Sequence, residues 1–385
     1  KIHDIKDIRF GVYSPEQMKK LSVCEITMNP EIPLEVPQDL AKDYGTLDDP
    51  RLGVKEPSRT IDAVYTESRC VTCGLDYNNC PGHFGYMVLQ RPCFIQTYFK
   101  LVIKLLNCVC HKCGHVLLNE EQREMILKLN PKNRINVIVG SGNTSNNIRK
   151  EKIDCYYCGI RQARKYTEKR DINYVITCSY YDENFETQTK FLNAADAWDI
   201  LRRVPDNECI LLGMDPELCK PSSLIWSVML IPGPQVRPAI EVRGKKNPDD
   251  LTHFLKDIIR YNTDLAEAIK SEDSVKIRSN WDYLQLAINA YIDSSNSKNN
   301  YGKKTAQPRV SIKPRLSGKS GRMRANLMGK RVNNTARSVL TCDPDIDADQ
   351  LGVPKTIAMN MTFPEIVNVY NKDFLEVLCR NGPNV

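Results

Sequence analysis

Apolar residues fall at helical spacing in several stretches of the chain, with polar runs marking where each stretch ends. From Pro92 to Asn107, the positions Phe94, Ile95, Tyr98, Phe99, Val102, Ile103 and Leu106 predict a buried helix. Glu120 to Leu129 predicts a short amphipathic helix. From Asn193 to Arg203, the residues Ala195, Trp198, Ile200 and Leu201 form an apolar face, and Arg202 and Arg203 sit at the C-terminal end, where the helix dipole favours cations. Asp249 to Tyr261 and Trp281 to Tyr291 predict two further amphipathic helices. Asn173 to Ser179 alternates and predicts a strand. Residues 1–65 carry Pro30, Pro33, Pro37, Pro50 and Pro57, which suits strands and extended segments rather than long helices. Gly140 to Asn147 reads as a loop, and Ile292 to Val310 as a flexible polar one. No internal repeat is evident.

A length of 385 residues suits two or three domains. A hydrophobic content of 41% supports real cores and excludes disorder of the whole chain. The most apolar stretches, such as Cys93 to Leu106, are short and broken by Lys100 and Lys104, so no membrane association is expected. No secretory signal opens the chain. It begins with Lys1 rather than Met, so a preceding piece is expected to be missing. The formal charge of +7 is unevenly placed. Ser294 to Cys342 spans 49 residues without one Asp or Glu and holds twelve Lys or Arg, so the remainder is 7 − 12 = −5.

The fifteen cysteines carry the clearest chemistry. Cys70 and Cys73 form C-x2-C, and Cys80 with His83 forms C-x2-H; these four lie within 14 residues. Cys110 and Cys113 form a second C-x2-C and Cys155 and Cys158 a third, with 41 residues between the pairs. A tight turn aims both sulfurs of such a pair at one ion, and four soft ligands in tetrahedral array suit structural Zn²⁺. Each C-x2-C is followed by glycine (Gly74, Gly114, Gly159), which lets the backbone amides curl toward the thiolates. Two Zn²⁺ sites are therefore expected, both closed, so neither is catalytic. Cys108, His111 and His115 crowd the second site as alternative ligands. Cys24, Cys93, Cys178, Cys209, Cys219, Cys342 and Cys379 have no partner at metal spacing and read as buried or free thiols. This usage points to a reducing compartment.

From Arg315 to Arg337, basic residues alternate with glycine and small side chains. Uncompensated positive charge repels itself unless a polyanion is near, and phosphate backbone is the usual one. The plainer reading is a solvated basic loop. Leu316, Met323, Leu327 and Met328 argue instead for a packed, positioned segment, and the scarcity of aromatics argues for backbone contact rather than base stacking. Asp343, Asp345, Asp347 and Asp349 form a D-x-D-x-D-x-D run. A Ca²⁺ loop needs Gly at its sixth position and Glu at its twelfth; here these are Ala348 and Pro354, so a solvated acidic turn is expected. No phosphate-binding loop, zinc-protease helix or nucleophile elbow is present in the sequence.

These residues resemble a known family. Arg322 to Asp343 (R-M-R-A-N-L-M-G-K-R-V-N-N-T-A-R-S-V-L-T-C-D), the following Gln350-Leu-Gly-Val-Pro354, Cys80-Pro-Gly-His83-Phe-Gly85, Gln235-Val-Arg-Pro238 and Arg380-Asn-Gly-Pro383 are similar to the N-terminal part of the largest subunit of multisubunit DNA-directed RNA polymerases. The likeness is to the eukaryotic and archaeal type and extends over nearly the whole chain. It implies an α+β, multi-domain clamp of small zinc-bound modules, helices and short antiparallel sheets, which closes over DNA and the RNA–DNA hybrid during template-directed RNA synthesis. Residues 1–95 would form the first part of the clamp core with zinc site 1. Residues 96–230 would form the clamp head with zinc site 2. Residues 231–335 would form the second part of the core, with a lid near Arg243 to Asp250, a rudder at Asn296 to Ile312 and a switch segment at Arg315 to Asn333. Residues 336–385 would begin the dock and active-site domain.

The resemblance further implies that Lys319, Arg324, Arg331 and Arg337 face template DNA or the hybrid, supported by Arg322 and Lys330. Ser317 stands where relatives often carry Lys, so one phosphate contact is missing. The implied partners are template DNA, the RNA–DNA hybrid, the second-largest subunit and other polymerase subunits. The motif N-A-D-F-D-G-D, whose aspartates hold the catalytic Mg²⁺ of the complete enzyme, does not occur in this sequence. The chain is thus expected to be a fragment or one part of a split subunit, with no catalytic residue and no bound Mg²⁺ of its own. Abbreviated loops and an unusual head tilt the reading toward a large DNA virus. The location would then be a viral factory or virion, and otherwise nuclear or cytoplasmic. A free-standing zinc-ribbon DNA-binding factor and a zinc hydrolase are the alternatives. The first would fold and read sequence alone; the second would need an open metal position and a Glu base.

Overall fold

The computed structural model describes residues 9–27, 43–54, 69–140, 154–163, 165–168, 174–181, 187–242, 245–294, 309–362 and 364–382. It divides into two compact units, Lys1–Pro314 and Arg315–Val385. Most of the polar loop expected at Ile292 to Val310 and of the rudder expected at Asn296 to Ile312, nearly all of the loop at Gly140 to Asn147, and Arg243 and Gly244 of the expected lid lie outside the described residues.

The first unit is α+β, with two main cores. Helix α1 (Pro15–Leu21) begins at a capping box in which Ser14 and Gln17 exchange side-chain and backbone bonds. Strand β1 (Ser22–Glu25) follows and pairs in parallel with β2 (Phe84–Phe94). β2 pairs antiparallel with β6 (Ile225–Ile231), giving the order β1-β2-β6. The sheet is therefore mixed where antiparallel pairing was expected. Along β2 the residues Gly85, Met87 and Leu89 are buried in alternation. They face helices α7 (Asp250–Lys270) and α8 (Ser274–Ile292) through Leu251, Leu255, Ile258, Leu284 and Ile288. Both helices outrun the apolar stretches that predicted them. Leu265 and Ala268 carry the buried stripe of α7 onward through polar residues, and Asp273 caps α8 by accepting from Val275 and Lys276 N–H groups.

The second core gathers around α2 (Phe99–Cys108). The expected helix from Pro92 is shorter. Cys93 and Phe94 pair with Trp226 and Ile225 at the end of β2, and a 3₁₀ turn (Gln96–Tyr98) intervenes. A buried strand end and a buried helix both read as unbroken apolar sequence, so periodicity alone merged them. Helices α3 (Glu120–Leu127) and α4 (Pro131–Val139) pack on this core through Ile126 and Ile138. The antiparallel sheet β3 (Lys165–Glu168), β4 (Ile176–Tyr181) and β5 (Thr187–Leu192) covers another side. Helices α5 (Ala194–Leu201) and α6 (Asp206–Leu211) add Ala197, Leu201 and Leu211. Strands β7 (Ile240–Val242) and β8 (Lys245–Asn247) form a separate hairpin. Among the described residues no helix is long and apolar enough to cross a membrane.

The second unit holds a π-helical turn (Met323–Leu327) and two short helices (Lys355–Asn360 and Lys372–Asn381). Its apolar side chains are largely exposed: Tyr370 is 98% accessible, Val369 89% and Leu340 87%.

Candidate metal centres and the basic strip

Three C-x2-C turns in this chain share one backbone pattern. The first cysteine N–H donates to the carbonyl five residues on, and the N–H of the glycine after the second cysteine donates back to the first cysteine's carbonyl. The pairs are Cys70 with Leu75 (2.9 Å) and Gly74 (2.8 Å), Cys110 with His115 (2.8 Å) and Gly114 (3.1 Å), and Cys155 with Ile160 (3.0 Å) and Gly159 (2.9 Å). The three glycines have φ of 71°, 78° and 66°, a left-handed conformation that side chains resist.

The sulfurs and ring nitrogen of Cys70, Cys73, Cys80 and His83 lie within 4.8 Å of one another, as do the sulfurs of Cys110, Cys113, Cys155 and Cys158. In the second group Cys110 and Cys158 are 3.6 Å apart, and so are Cys113 and Cys155. A disulfide would need about 2.05 Å, whereas thiolates bound to one tetrahedral ion stand about 3.8 Å apart. The Cys80 sulfur and His83 Nε2 are 3.8 Å apart. Both groups could therefore hold a metal ion. Among the described residues no disulfide joins any cysteine. Cys24, Cys93, Cys178 and Cys209 are buried, Cys219 is half-buried, and Cys342 and Cys379 are exposed.

The electrostatics of the second group call for a cation. Burial opposes the Cys110 thiolate, but N–H bonds from Cys113 and Lys112 and the neighbouring thiols outweigh it and bring the thiol down to about 7. The Cys113 thiol is pushed up, first by burial and then by its three sulfur neighbours. Four thiolates this close ionise together only around a positive charge.

The sequence did not disclose the supports of this group. Gln162, 3% exposed, donates Nε2 to the Cys110 sulfur (3.2 Å), and its Oε1 accepts the His111 backbone N–H (3.1 Å). Arg203 Nη1 donates to the His111 (3.3 Å) and Lys112 (3.4 Å) carbonyls. Of the alternative ligands, His111 turns Nδ1 to Gln162 Oε1 (3.0 Å), His115 stacks on Tyr157 at 4.4 Å, and Cys108 is buried in the core around α2. Tyr157 also lies under the Arg123 guanidinium, which pairs with buried Glu208 at 2.8 Å.

The first group rests on a turn at residues 49–54. Buried Asp49 accepts from Gly45 N–H (2.7 Å), Arg51 N–H (2.9 Å) and the Arg51 guanidinium (2.7 and 3.0 Å). Arg51 O accepts from Thr72 Oγ1 (2.6 Å), and Leu52 O accepts from His83 N–H (2.8 Å). The Gln235-Val-Arg-Pro238 segment closes the arrangement. The Gln235 carboxamide lies against Gly53 and Gly82, where a Cβ would stand 2.5 and 2.8 Å from its Oε1. Arg237, buried, donates to the Pro232 (3.0 Å) and Leu47 carbonyls.

In the second unit Lys319, Arg322, Arg324, Lys330, Arg331 and Arg337 are all exposed. Arg322 donates to Asn326 Oδ1 (3.0 Å). Gly318 is left-handed (φ 89°), and a side chain on Gly321 would collide with the Leu316 and Ser317 carbonyls, so both glycines shape the turn. Gly329 has open space, and nothing local demands glycine there. Met323, Leu327 and Met328 are 53%, 67% and 85% exposed, so the packed segment expected from them is not formed within this unit. Asp343 to Asp349 make an exposed turn in which Asp345 N–H donates to Asp343 Oδ1 (3.1 Å).

Comparison with known proteins agrees with these motifs. Residues 2–327 match the family model described as RNA polymerase Rpb1, domain 1, and residues 329–385 match RNA polymerase Rpb1, domain 2. The chain is 35% identical over 391 aligned residues to the DNA-directed RNA polymerase subunit Rpo1N of Methanocaldococcus jannaschii, with 98% of this chain and 27% of that protein covered. It thus spans about a quarter of the length of that relative. With both models matched in order and the cysteine groups, Gln235–Pro238 and the basic strip in place, the chain belongs to the Rpb1 family, as the N-terminal part of an RNA polymerase largest subunit.

Proposed function

We propose that this chain is the clamp region of a DNA-directed RNA polymerase and holds template DNA and the RNA–DNA hybrid by their backbones. The observation that carries the reading is the second unit's exposed Lys319, Arg322, Arg324, Lys330, Arg331 and Arg337, in a sequence without an acidic residue from Ser294 to Cys342. Such a strip gains most from a polyanion and reads no sequence, because phosphate contacts position rather than specify. Family membership makes the template and hybrid the fitting polyanion. The clamp core is assigned to residues 1–95 and 231–335, the head to 96–230, and the start of the dock to 336–385.

Each cysteine group would bind one structural Zn²⁺, with all four positions filled by protein and none left for a substrate. The zinc supplies rigidity to small modules. The exposed Val339, Leu340, Val369 and Tyr370 suit contacts with other polymerase subunits. Nucleotidyl transfer itself would rest on Mg²⁺ held elsewhere in the complete enzyme.

The test is the assembled polymerase carrying Arg324→Ala and Arg331→Ala. Each phosphate contact contributes about −0.9 to the log–log salt slope of DNA binding, so losing both should flatten it by about 2. Elongation should weaken while the metal content stays unchanged. An enzyme that elongates and retains DNA normally across salt would refute the assignment.

A further inference from the structure

Strand β2 carries an irregularity that its sheet partner does not mend. Val88 pairs with Val228 and Cys93 with Trp226, so the four residues Leu89 to Pro92 stand opposite Ser227 alone. Backbone groups in and beside this bulge bond instead to side chains of α7 and α8. From α7, Asn262 accepts the Gln90 N–H (2.9 Å) and donates to the Val88 carbonyl (3.0 Å). From α8, Trp281 Nε1 donates to the Pro92 carbonyl (3.0 Å), and Gln285 both accepts the Phe94 N–H (2.7 Å) and donates to the Phe94 carbonyl (2.8 Å). Asn262 is 9% exposed and Gln285 6%. Gln285 is steadied by Asn289 Oδ1 (3.1 Å), and Arg91 lies over the Trp281 ring at 5.7 Å. The two helices are joined to each other by Asn280 Nδ2 on the Asp264 carbonyl (3.1 Å).

Apolar packing of a helix pair on a sheet is non-directional and leaves sliding and rotation open. Buried, directional amide bonds remove that freedom, because any other register strands polar groups without partners. We infer that Asn262, Trp281 and Gln285 are positioning residues that fix the register of the α7–α8 pair on β2. The strand they grip follows His83 of the first metal centre directly and leads through the 3₁₀ turn and α2 to Cys110 of the second. The helix pair is thereby geared to the continuous run of backbone that joins both centres and moves with it as one piece. This stands on the geometry of the first unit and does not depend on the proposed function.

The test uses the full metal-loaded chain with Asn262→Leu and Gln285→Leu together. Amide exchange is read at Gln90 and Phe94. Spin–spin distances are read between bio-orthogonal labels at Val275 in α8 and Met125 in α3, which are 76% and 51% exposed. Unaltered chain should give slow exchange and one narrow distance distribution. The double variant should exchange at both amides about tenfold faster or more, with a broadened or split distribution and unchanged metal content. A narrow, unshifted distribution, or wild-type exchange at both amides, overturns the inference and leaves apolar packing as the determinant of register. Should the double variant fail to fold, Trp281→Phe removes the indole bond to Pro92 and keeps an aromatic ring in its place. Broadening then supports the gearing, and an unchanged distribution overturns it.

Discussion

In the first metal centre all four ligands come from one 14-residue stretch, and their support is the neighbouring turn at residues 49–54 with Gln235 behind it. In the second, two ligand pairs separated by 41 residues meet on a scaffold of Gln162, Arg203 and the core around α2. The turn is the same in both; the dependence on the ion is not. The local centre closes a small loop whose buried cluster joins two of the candidate ligands, Cys70 and Cys80, to Val54 of the neighbouring turn, with Tyr77 packed against them. The distant centre closes a long loop, whose freedom in the unfolded chain is greater.

Ligand removal should separate the two most strongly. Cys155→Ser is expected to lower bound zinc from two to one per chain and to cost several kcal/mol, because structural zinc contributes about 10–16 kcal/mol of folding free energy in small peptides. Cys73→Ser should also remove one zinc but leave the α2 core melting nearly as before. Metal analysis with calorimetry checks this, and equal losses of thermal stability would break the comparison.

Alanine at the turn glycines gives the next largest contrast. Gly74→Ala should cost about 1–2 kcal/mol for its left-handed backbone alone, since nothing stands near the added carbon. Gly114→Ala should cost more, because the new Cβ would collide with the carbonyl of Arg203. Denaturant melts of the two variants measure the difference, and a smaller cost at Gly114 would show the α5 end yielding freely.

The smallest effect is with pH. Burial opposes the Asp49 carboxylate, but bonds from Arg51 and Gly45 outweigh it and hold its pKa below the ordinary value. Its contribution is therefore complete above the ordinary carboxylate range and is lost as pH falls through the lowered pKa. Asp49→Asn keeps one acceptor oxygen and should remove about 1 kcal/mol at neutral pH and flatten the acid limb of stability. The readout is amide exchange around the first centre, with the second centre as internal control.

The two four-residue groups were legible because their members stand two residues apart in pairs and glycine follows each C-x2-C. Their supports were not. Gln162, Arg203 and Glu208 reach their partners across tens of residues, and no periodicity announces an amide aimed at a sulfur. Helices α7 and α8 were legible only as far as their apolar stripes were dense. The continuation of α7 to Lys270 lies beyond the apolar stretch that predicted it and is helix because Leu265 and Ala268 still reach the core. The basic strip was legible as charge. Its apolar residues misled, since density of Met and Leu does not say which surface will cover them.

The uncovered side chains of the second unit bear on how the protein is made. The first unit holds both main cores and both candidate metal centres within residues that are synthesised before the second unit. The second unit then emerges with Tyr370, Val369 and Leu340 in water, apolar surface of the kind that clumps until something covers it.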